Sequence, residues 1–245
     1  VRLDQLLVER GLAESRAKAQ ALILAGRVLV AGLRADKSGR PVRRDEDLSL
    51  TPAPRPFASR GGGKLEGALL DLSVSPEGRV ALDVGASTGG FTDCLLRHGA
   101  LRVYAVDVGE KLLDDRLRRD PRVVSIEGVN FRHASPDLLP ERAEIAVADV
   151  SFISLRHILP PLVALLAPGA AVLALVKPQF EAGRERVGKG GVVRDEEARR
   201  DAVRSVAAAA EEAGFLVEGE AESRVPGPAG NREVFLLLRL PPSRS

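Results

Sequence analysis

Apolar positions in residues 1–50 come in short bursts. Leu3, Leu6, Leu7 and Leu12 fall at helical spacing, and Gly11 closes that helix. Ser15 is placed to cap a second helix that carries Ala17, Ala19, Ala21, Leu22 and Leu24 and ends at Gly26. Val28–Val30 reads as a short strand turning at Gly32, and Leu48–Leu50 as a last strand. After residue 64 the pattern changes scale. A helical stretch, Leu65–Leu72, precedes an apolar run that reaches Asp83; strand-like runs follow at Ala100–Asp107, Arg122–Ile126, Glu144–Asp149 and Ala170–Lys177. Helical stretches begin after Gly90, at Leu155–Leu166 and at Asp195–Ala213, the last closed by Gly214. Two further strands, from Phe215 and over Glu233–Leu238, flank the turn Pro226–Asn231. That turn is too short for a crossover helix, so this pair should be antiparallel. Strands alternating with helices predict an α/β fold with a largely parallel sheet covered on both faces. The expected organisation is a small α+β domain over residues 1–50, a linker over 51–58 and an α/β domain over 59–245. Three prolines in Thr51–Pro56 make that linker extended and stiff.

Composition narrows the class. With 44% hydrophobic residues in 245, a sizeable core is available. A single cysteine excludes an internal disulfide and thiol-based zinc sites, and no metal is expected. Cys94 should pack as a small apolar residue. A reducing, cytoplasmic compartment fits. No apolar run approaches the ~18–20 residues that span a bilayer, and the amino-terminal segment lacks the apolar core of a signal peptide, so no membrane partner is expected. Charge is unevenly placed. Residues 1–60 hold twelve Lys/Arg against seven Asp/Glu, while the remainder is net −3. A basic module joined to a near-neutral body points to a polyanion. Aromatics are nearly missing from that module, Phe57 being the exception, so phosphate and shape recognition is expected there rather than base stacking.

The stretch Asp83-Val-Gly-Ala-Ser-Thr-Gly-Gly-Phe91 joins an apolar strand to a helix through a small-residue turn, the arrangement that makes a nucleotide-sized crevice in α/β sheets. Gly85-Ala-Ser-Thr-Gly89 also matches the G-x-S-x-G nucleophile elbow. A hydrolase would need a later acid and histidine, yet only His98, His133 and His157 exist, and the elbow here follows the first strand of the sheet. A dinucleotide site would prefer G-x-G-x-x-G, where Ser87 replaces the middle glycine. Asp107 lies 22 residues past Gly85, the distance at which a second-strand acid meets a ribose hydroxyl.

Four resemblances decide among these. Arg2-Leu-Asp4, Ser15-Arg16, Ala19, Gly26-Arg-Val28 and Gly32 together resemble the S4 RNA-binding domain. Asp83-x-Gly85-x-x-x-Gly89-Gly90-Phe91 resembles the first motif of S-adenosylmethionine-dependent methyltransferases. Lys64, Asp149, Lys177 and Glu233, which alternation brings to one sheet edge, resemble the tetrad of the FtsJ-like ribose 2′-O-methyltransferases. The words Ser59-Arg-Gly-Gly-Gly-Lys64, Asp149-Val-Ser-Phe-Ile153, Lys177-Pro-Gln-Phe180, Gly188-Lys-Gly-Gly191 and Gly230-Asn-Arg-Glu233 resemble the TlyA family.

The resemblance implies a Rossmann-like S-adenosylmethionine-dependent methyltransferase fold, a seven-stranded sheet with its last strand antiparallel, behind an S4 domain. It implies methylation of cytidine ribose in ribosomal RNA, free or in assembled subunits; monomer and homodimer are left open. Lys64, Asp149, Lys177 and Glu233 would be catalytic, with Lys177 at the 2′-hydroxyl and the two acids holding the lysines. Asp83, Gly85, Ala86, Ser87, Gly89, Gly90, Phe91, Asp107, Val108, Asn130 and Asp149 would hold the cofactor. Arg2, Arg16, Lys18, Arg27, Arg60, Arg184, Arg186 and Lys189 would meet RNA, the last three on a loop that orders on binding. A non-catalytic RNA-binding assembly factor would not need the complete tetrad. Some members of the family carry a haemolysin label, but a membrane-active protein needs a strongly amphipathic or spanning segment, and the helical stretches here read as surface helices of an α/β sheet.

Overall fold

The computed structural model describes residues 1–51, 56–227 and 229–242; residues 52–55 of the expected linker and 228 of the expected turn lie outside the described residues. The chain divides into two compact units, Val1–Pro56 and Phe57–Ser245.

The first unit contains α1 (Leu3–Glu9), α2 (Arg16–Leu24), β1 (Val28–Val30), β2 (Leu33–Arg34) and β3 (Leu48–Leu50), with strand order β2-β1-β3, both pairs antiparallel. Ser15 Oγ accepts the Lys18 N–H at 3.3 Å, capping α2. Leu3, Leu6, Leu7, Ala19, Ile23, Val28 and Val30 form its core. Asp4 is fully buried on α1 and fully satisfied. It accepts both Arg2 Nε and Arg2 Nη2 at 3.0 Å, and Arg16 Nε and Gln20 Nε2 at 2.9 Å. These donors hold its carboxyl well below the usual carboxylate range, against the opposing effect of burial.

The second unit runs α3 (Gly61–Asp71), β4 (Val80–Val84), α4 (Gly90–Arg97), β5 (Arg102–Val106), α5 (Asp115–Arg118), β6 (Val123–Ile126), β7 (Ala143–Ala148), α6 (Leu159–Leu165), β8 (Leu166–Val176), α7 (Pro178–Glu181), α8 (Glu196–Glu212), β9 (Leu216–Glu222) and β10 (Val234–Arg239). The seven strands lie in the order β6-β5-β4-β7-β8-β10-β9. All neighbours pair in parallel except β10, which is antiparallel to both β8 and β9. Every residue of β4 is buried, because apolar clusters cover both sheet faces.

Among the boundaries that differ from the sequence reading, β8 begins at Leu166 rather than Ala170, and three others bear on packing. Helix α3 starts within the glycine triplet rather than at Leu65. A Cβ on Gly90 would lie 3.0 Å from the Gly62 nitrogen, and one on Gly62 would lie 2.2 Å from the Phe57 ring, so these glycines let α3, α4 and Phe57 touch nearly backbone to backbone. Phe57 and Ala58, read as linker, are tied to the second unit. The Arg97 guanidinium stands 4.4 Å from the Phe57 ring centroid, and the Ala58 N–H is donated to Asp93 at 3.0 Å. The single helix expected over residues 155–166 is a 3₁₀ turn, Leu155–His157, followed by α6, whose first turn carries Pro160 and Pro161. Proline is tolerated there because those N–H groups have no intrahelical acceptor.

Candidate active site

The turn after β4 is held by backbone conformation. Gly85 has φ +84°, and a Cβ there would stand 2.5 Å from the Asp149 carbonyl oxygen, so the end of β7 passes directly beneath. The Ser87 N–H donates to Asp107 Oδ2 and the Gly109 N–H to Asp107 Oδ1, both at 2.8 Å. The acid after β5 is thereby bound to the glycine turn after β4.

Two cavities open at this edge and share Gly85, Ser87, Asp149 and Ser151. The larger, about 480 Å³, has walls of Val106, Val108, Leu112, Phe131, Val150 and Ile153, with Asp107 and Asn130 as polar groups. The Asn130 side chain also accepts the Arg132 N–H at 3.2 Å. The smaller, about 260 Å³, is lined by Arg60, Lys64, Ala86, Gly90, Phe91 and Lys177 besides the shared residues.

The four charged residues form two ion pairs. Lys177 Nζ lies 2.5 Å from Asp149 Oδ1 and donates to Ser151 Oγ at 2.9 Å. Lys64 Nζ donates to Glu233 Oε2 at 2.6 Å. Glu233 is fully buried and Lys64 is 7% exposed. Topology accounts for this convergence. β4, β7 and β8 run parallel, so Asp149 and Lys177 follow strand ends on one edge; β10 runs the other way, with Val234 opposite Val176. Continuing that register by one residue sets Glu233, which precedes β10, across from Lys177. Lys64, in the first turn of α3 where the helix dipole disfavours a cation, is offset by the Glu233 carboxylate.

Asp83 and Gly89, expected at the cofactor, line neither cavity. Asp83 is fully buried and accepts the Thr92 hydroxyl at 2.6 Å, which pins the first turn of α4; Gly89, φ +92°, is the residue that precedes this helix. Burial, reinforced by the nearby Asp149 and Asp107 carboxylates, pushes the Asp83 carboxyl up to about 7. A carboxyl that ionises near ~3.9 when unfolded and near 7 when folded stabilises fully below the lower value and loses that contribution as pH rises through the interval, by up to about 1.4 kcal/mol per pH unit. Asp83→Asn removes this slope. In urea melts its stability relative to the unsubstituted protein should rise from about pH 4 to about pH 7 and level off above; a flat difference would place the titration elsewhere.

The expected RNA contacts are distributed. Arg2 and Arg16 are held by Asp4, Arg27 donates to the Thr51 carbonyl, and Lys18 stands exposed on α2. Arg60 lines the smaller cavity, Arg186 is paired with Asp201 at 2.5 Å, and Lys189 is exposed. The side chain of Arg184 lies outside the described residues. The glycine-rich loop, expected to order only on binding, already has structure. Gly188 and Val192 form an antiparallel bridge, and buried Asn231 accepts the Val193 N–H at 2.9 Å and donates to the Gly191 carbonyl at 2.8 Å. Sequence reasoning missed Asn231 and Ser151 as site-builders. Both stand inside the family-like words, at Gly230–Glu233 and Asp149–Ile153, but nothing in their spacing assigns a role.

A glycine-turn crevice at the edge of a sheet ordered β6-β5-β4-β7-β8-β10-β9, with paired lysines and acids beside it, defines a methyltransferase of the Rossmann-like class. Comparison with known proteins agrees. The model of the FtsJ-like methyltransferase family matches residues 57–240, and that of the S4 domain residues 1–48. YqxC of Bacillus subtilis strain 168, which carries an rRNA methyltransferase label, is 49% identical over 241 residues, 98% of this chain and 86% of that protein. The 16S/23S rRNA (cytidine-2'-O)-methyltransferase TlyA of Mycobacterium tuberculosis is 46% identical over 245 residues, 100% of this chain and 91% of that protein. A solved structure from Streptococcus thermophilus that carries a hemolysin label superposes with a TM-score of 0.74 at 44% identity, covering 98% of this chain and 88% of that one. The chain belongs to the TlyA family of FtsJ-like methyltransferases that carry an S4 domain. Among the described residues no helix is long and apolar enough to cross a membrane, and no group of three or more His, Cys, Asp or Glu could hold a metal ion.

Proposed function

We propose that this enzyme transfers a methyl group from S-adenosylmethionine to the ribose 2′-hydroxyl of cytidine in ribosomal RNA, in the cytoplasm, with the S4 unit docking on structured RNA. The observation that carries the reading is the Lys177–Asp149 pair, which lines the smaller cavity together with Lys64 where that cavity meets the apolar one.

The donor set suits S-adenosylmethionine. Apolar walls in the larger cavity suit adenine, and Asp107 suits ribose hydroxyls, since a carboxylate offers about four lone-pair positions and only two are taken by Ser87 and Gly109. The Asp149 carboxylate lies between the two cavities, where a cationic sulfur is favoured. When bound, the cofactor supplies an electrophilic methyl carbon. The protein's task is to align the acceptor oxygen and to manage one proton. The Lys177 ammonium has three N–H donors. Asp149 holds it as an ion pair and Ser151 accepts one N–H, which leaves a donor to orient the 2′-oxygen and stabilise the negative charge that grows as the hydroxyl proton passes to solvent water. Lys64 lines the same cavity and is held by the buried Glu233 carboxylate.

Ribose-methylation mapping tests this directly. Ribosomal RNA, free or in each subunit, incubated with the protein and S-adenosylmethionine should gain 2′-O-methylcytidine at discrete positions; unchanged RNA in every form rejects the reading. Asp107→Ala should weaken cofactor binding about 10- to 100-fold, the worth of one or two charge-assisted hydrogen bonds. Calorimetric titration measures this, and an unaltered Kd would remove Asp107 from the cofactor site.

A further inference from the structure

Glu181 is the last residue of α7, four positions beyond Lys177, and its carboxylate side chain is only 2% exposed. Both oxygens are used. Oε1 accepts the Leu155 backbone N–H at 2.8 Å, and Oε2 accepts the Ser154 hydroxyl at 2.5 Å, with Arg156 Nε 3.6 Å from Oε2. Burial raises its pKa, and the two hydrogen bonds and Arg156 oppose that rise.

What Glu181 grips is the far end of the segment that leaves β7 through Asp149 and Ser151. Between these points Phe152 has φ +65°, in the left-handed region, with its side chain 93% exposed and its ring 5.3 Å from that of Phe180. A bulky residue keeps such a backbone only where its surroundings impose it. The apolar contact with Phe180 is exposed and weak, whereas the Glu181 bonds are buried and charge-assisted. Ser151 stands one residue before the strained position, and its hydroxyl receives a Lys177 N–H. The loops after β7 and β8 are therefore fastened twice: at Lys177, by Asp149 and Ser151, and three residues further along the first loop, by Glu181.

We propose that Glu181 is a positioning residue for methyl transfer: it holds the Ser151–Phe152 turn in its strained conformation and thereby fixes Ser151 against the Lys177 ammonium. The proposal rests on the catalytic reading of Lys177 given above. Without the anchor the turn relaxes, Ser151 withdraws, and the ammonium loses the second of its two fixed directions while keeping Asp149.

Single-turnover methylation of the RNA substrate, with cofactor Kd and melting temperature measured on the same full-length samples, tests it. Glu181→Ala should slow the chemical step on the order of 10- to 100-fold, a loss typical of a small misalignment, with cofactor Kd changed less than about threefold. Glu181→Gln, whose amide can still accept from Leu155 and meet Ser154, should recover most of that rate. Ser154→Ala, which removes one bond and leaves the Leu155 anchor, should lie between and serves if the alanine variant folds poorly. In the Ser151→Ala background the Glu181→Ala substitution should cost far less, because both act through one contact. An Ala variant with a lower melting temperature but an unchanged rate per folded molecule, or full additivity with Ser151→Ala, overturns the proposal. If Lys177→Ala itself retains its rate, the reading of the site fails and this inference falls with it; if only the Glu181 variants retain theirs, the inference falls alone.

Discussion

Lys177→Ala is expected to lower the rate of methyl transfer by on the order of 10³-fold or more while leaving S-adenosylmethionine binding nearly intact. Its ammonium lines the smaller cavity beside Asp149 and Ser151, whereas the larger cavity, with Asp107 and Asn130, does not include it. Removing it also releases Asp149, which keeps a solvent-accessible side chain and can hydrate, so the fold should tolerate the change. Lys177→Arg should not restore the rate, because a planar guanidinium cannot reproduce the tripod of donors directed at Asp149, Ser151 and the acceptor oxygen. Rapid-quench methylation together with calorimetric cofactor titration separates the two quantities. Loss of cofactor binding in step with loss of rate would make Lys177 a structural residue.

The second large effect is on stability. Glu233 is fully buried, and among the described residues its Oε1 has no hydrogen-bond partner and Lys64 is the one cation paired with its other oxygen. Lys64→Ala strands that carboxylate, at about 3–5 kcal/mol for an uncompensated buried charge, which for a unit of this size is roughly 10 °C in Tm. The paired variant Lys64→Met with Glu233→Leu removes both charges and fills their volume, so it should regain most of the lost stability and none of the activity. Thermal melts of the three proteins at one pH decide it. Equal stability of the single and double variants would mean that the pair is hydrated and that Glu233 braces nothing.

The alternation of apolar runs with helical stretches made the sheet legible, and charged residues at strand ends made its functional edge legible. Asp149, Lys177 and Glu233 could be placed together because direction alone sends parallel strand ends, and the start of an antiparallel one, to the same edge; Lys64, on a helix, joined them through the family resemblance. Elements of four residues, α5 and α7, escaped because one turn shows no periodicity. The start of α3 escaped because Gly61–Gly63 are poor helix formers held by close packing that propensity does not see. Ser151, Glu181 and Asn231 escaped for another reason. Their partners lie 26, 27 and 38 residues away, and hydrogen bonds of that span leave no local trace. Asp83 read as a cofactor ligand from its place in a motif, while its burial and its bond to Thr92 make it a support of the turn.

The reversed direction of β10 has a consequence for how the enzyme comes into being. Lys64 and Glu233 are 169 residues apart in sequence, and β10 lies between β8 and β9 although it is synthesised after both. A chain emerging from the ribosome has made six of the seven strands, the glycine turn, Asp149 and Lys177 before Lys64 has a counter-charge. Until the β9–β10 hairpin docks against β8, that lysine must stay in water, and the α3 turn that carries it cannot close on the sheet. Nascent protein that has not finished this last insertion should therefore be inert toward RNA methylation, and protease protection of α3 should arise together with catalytic competence.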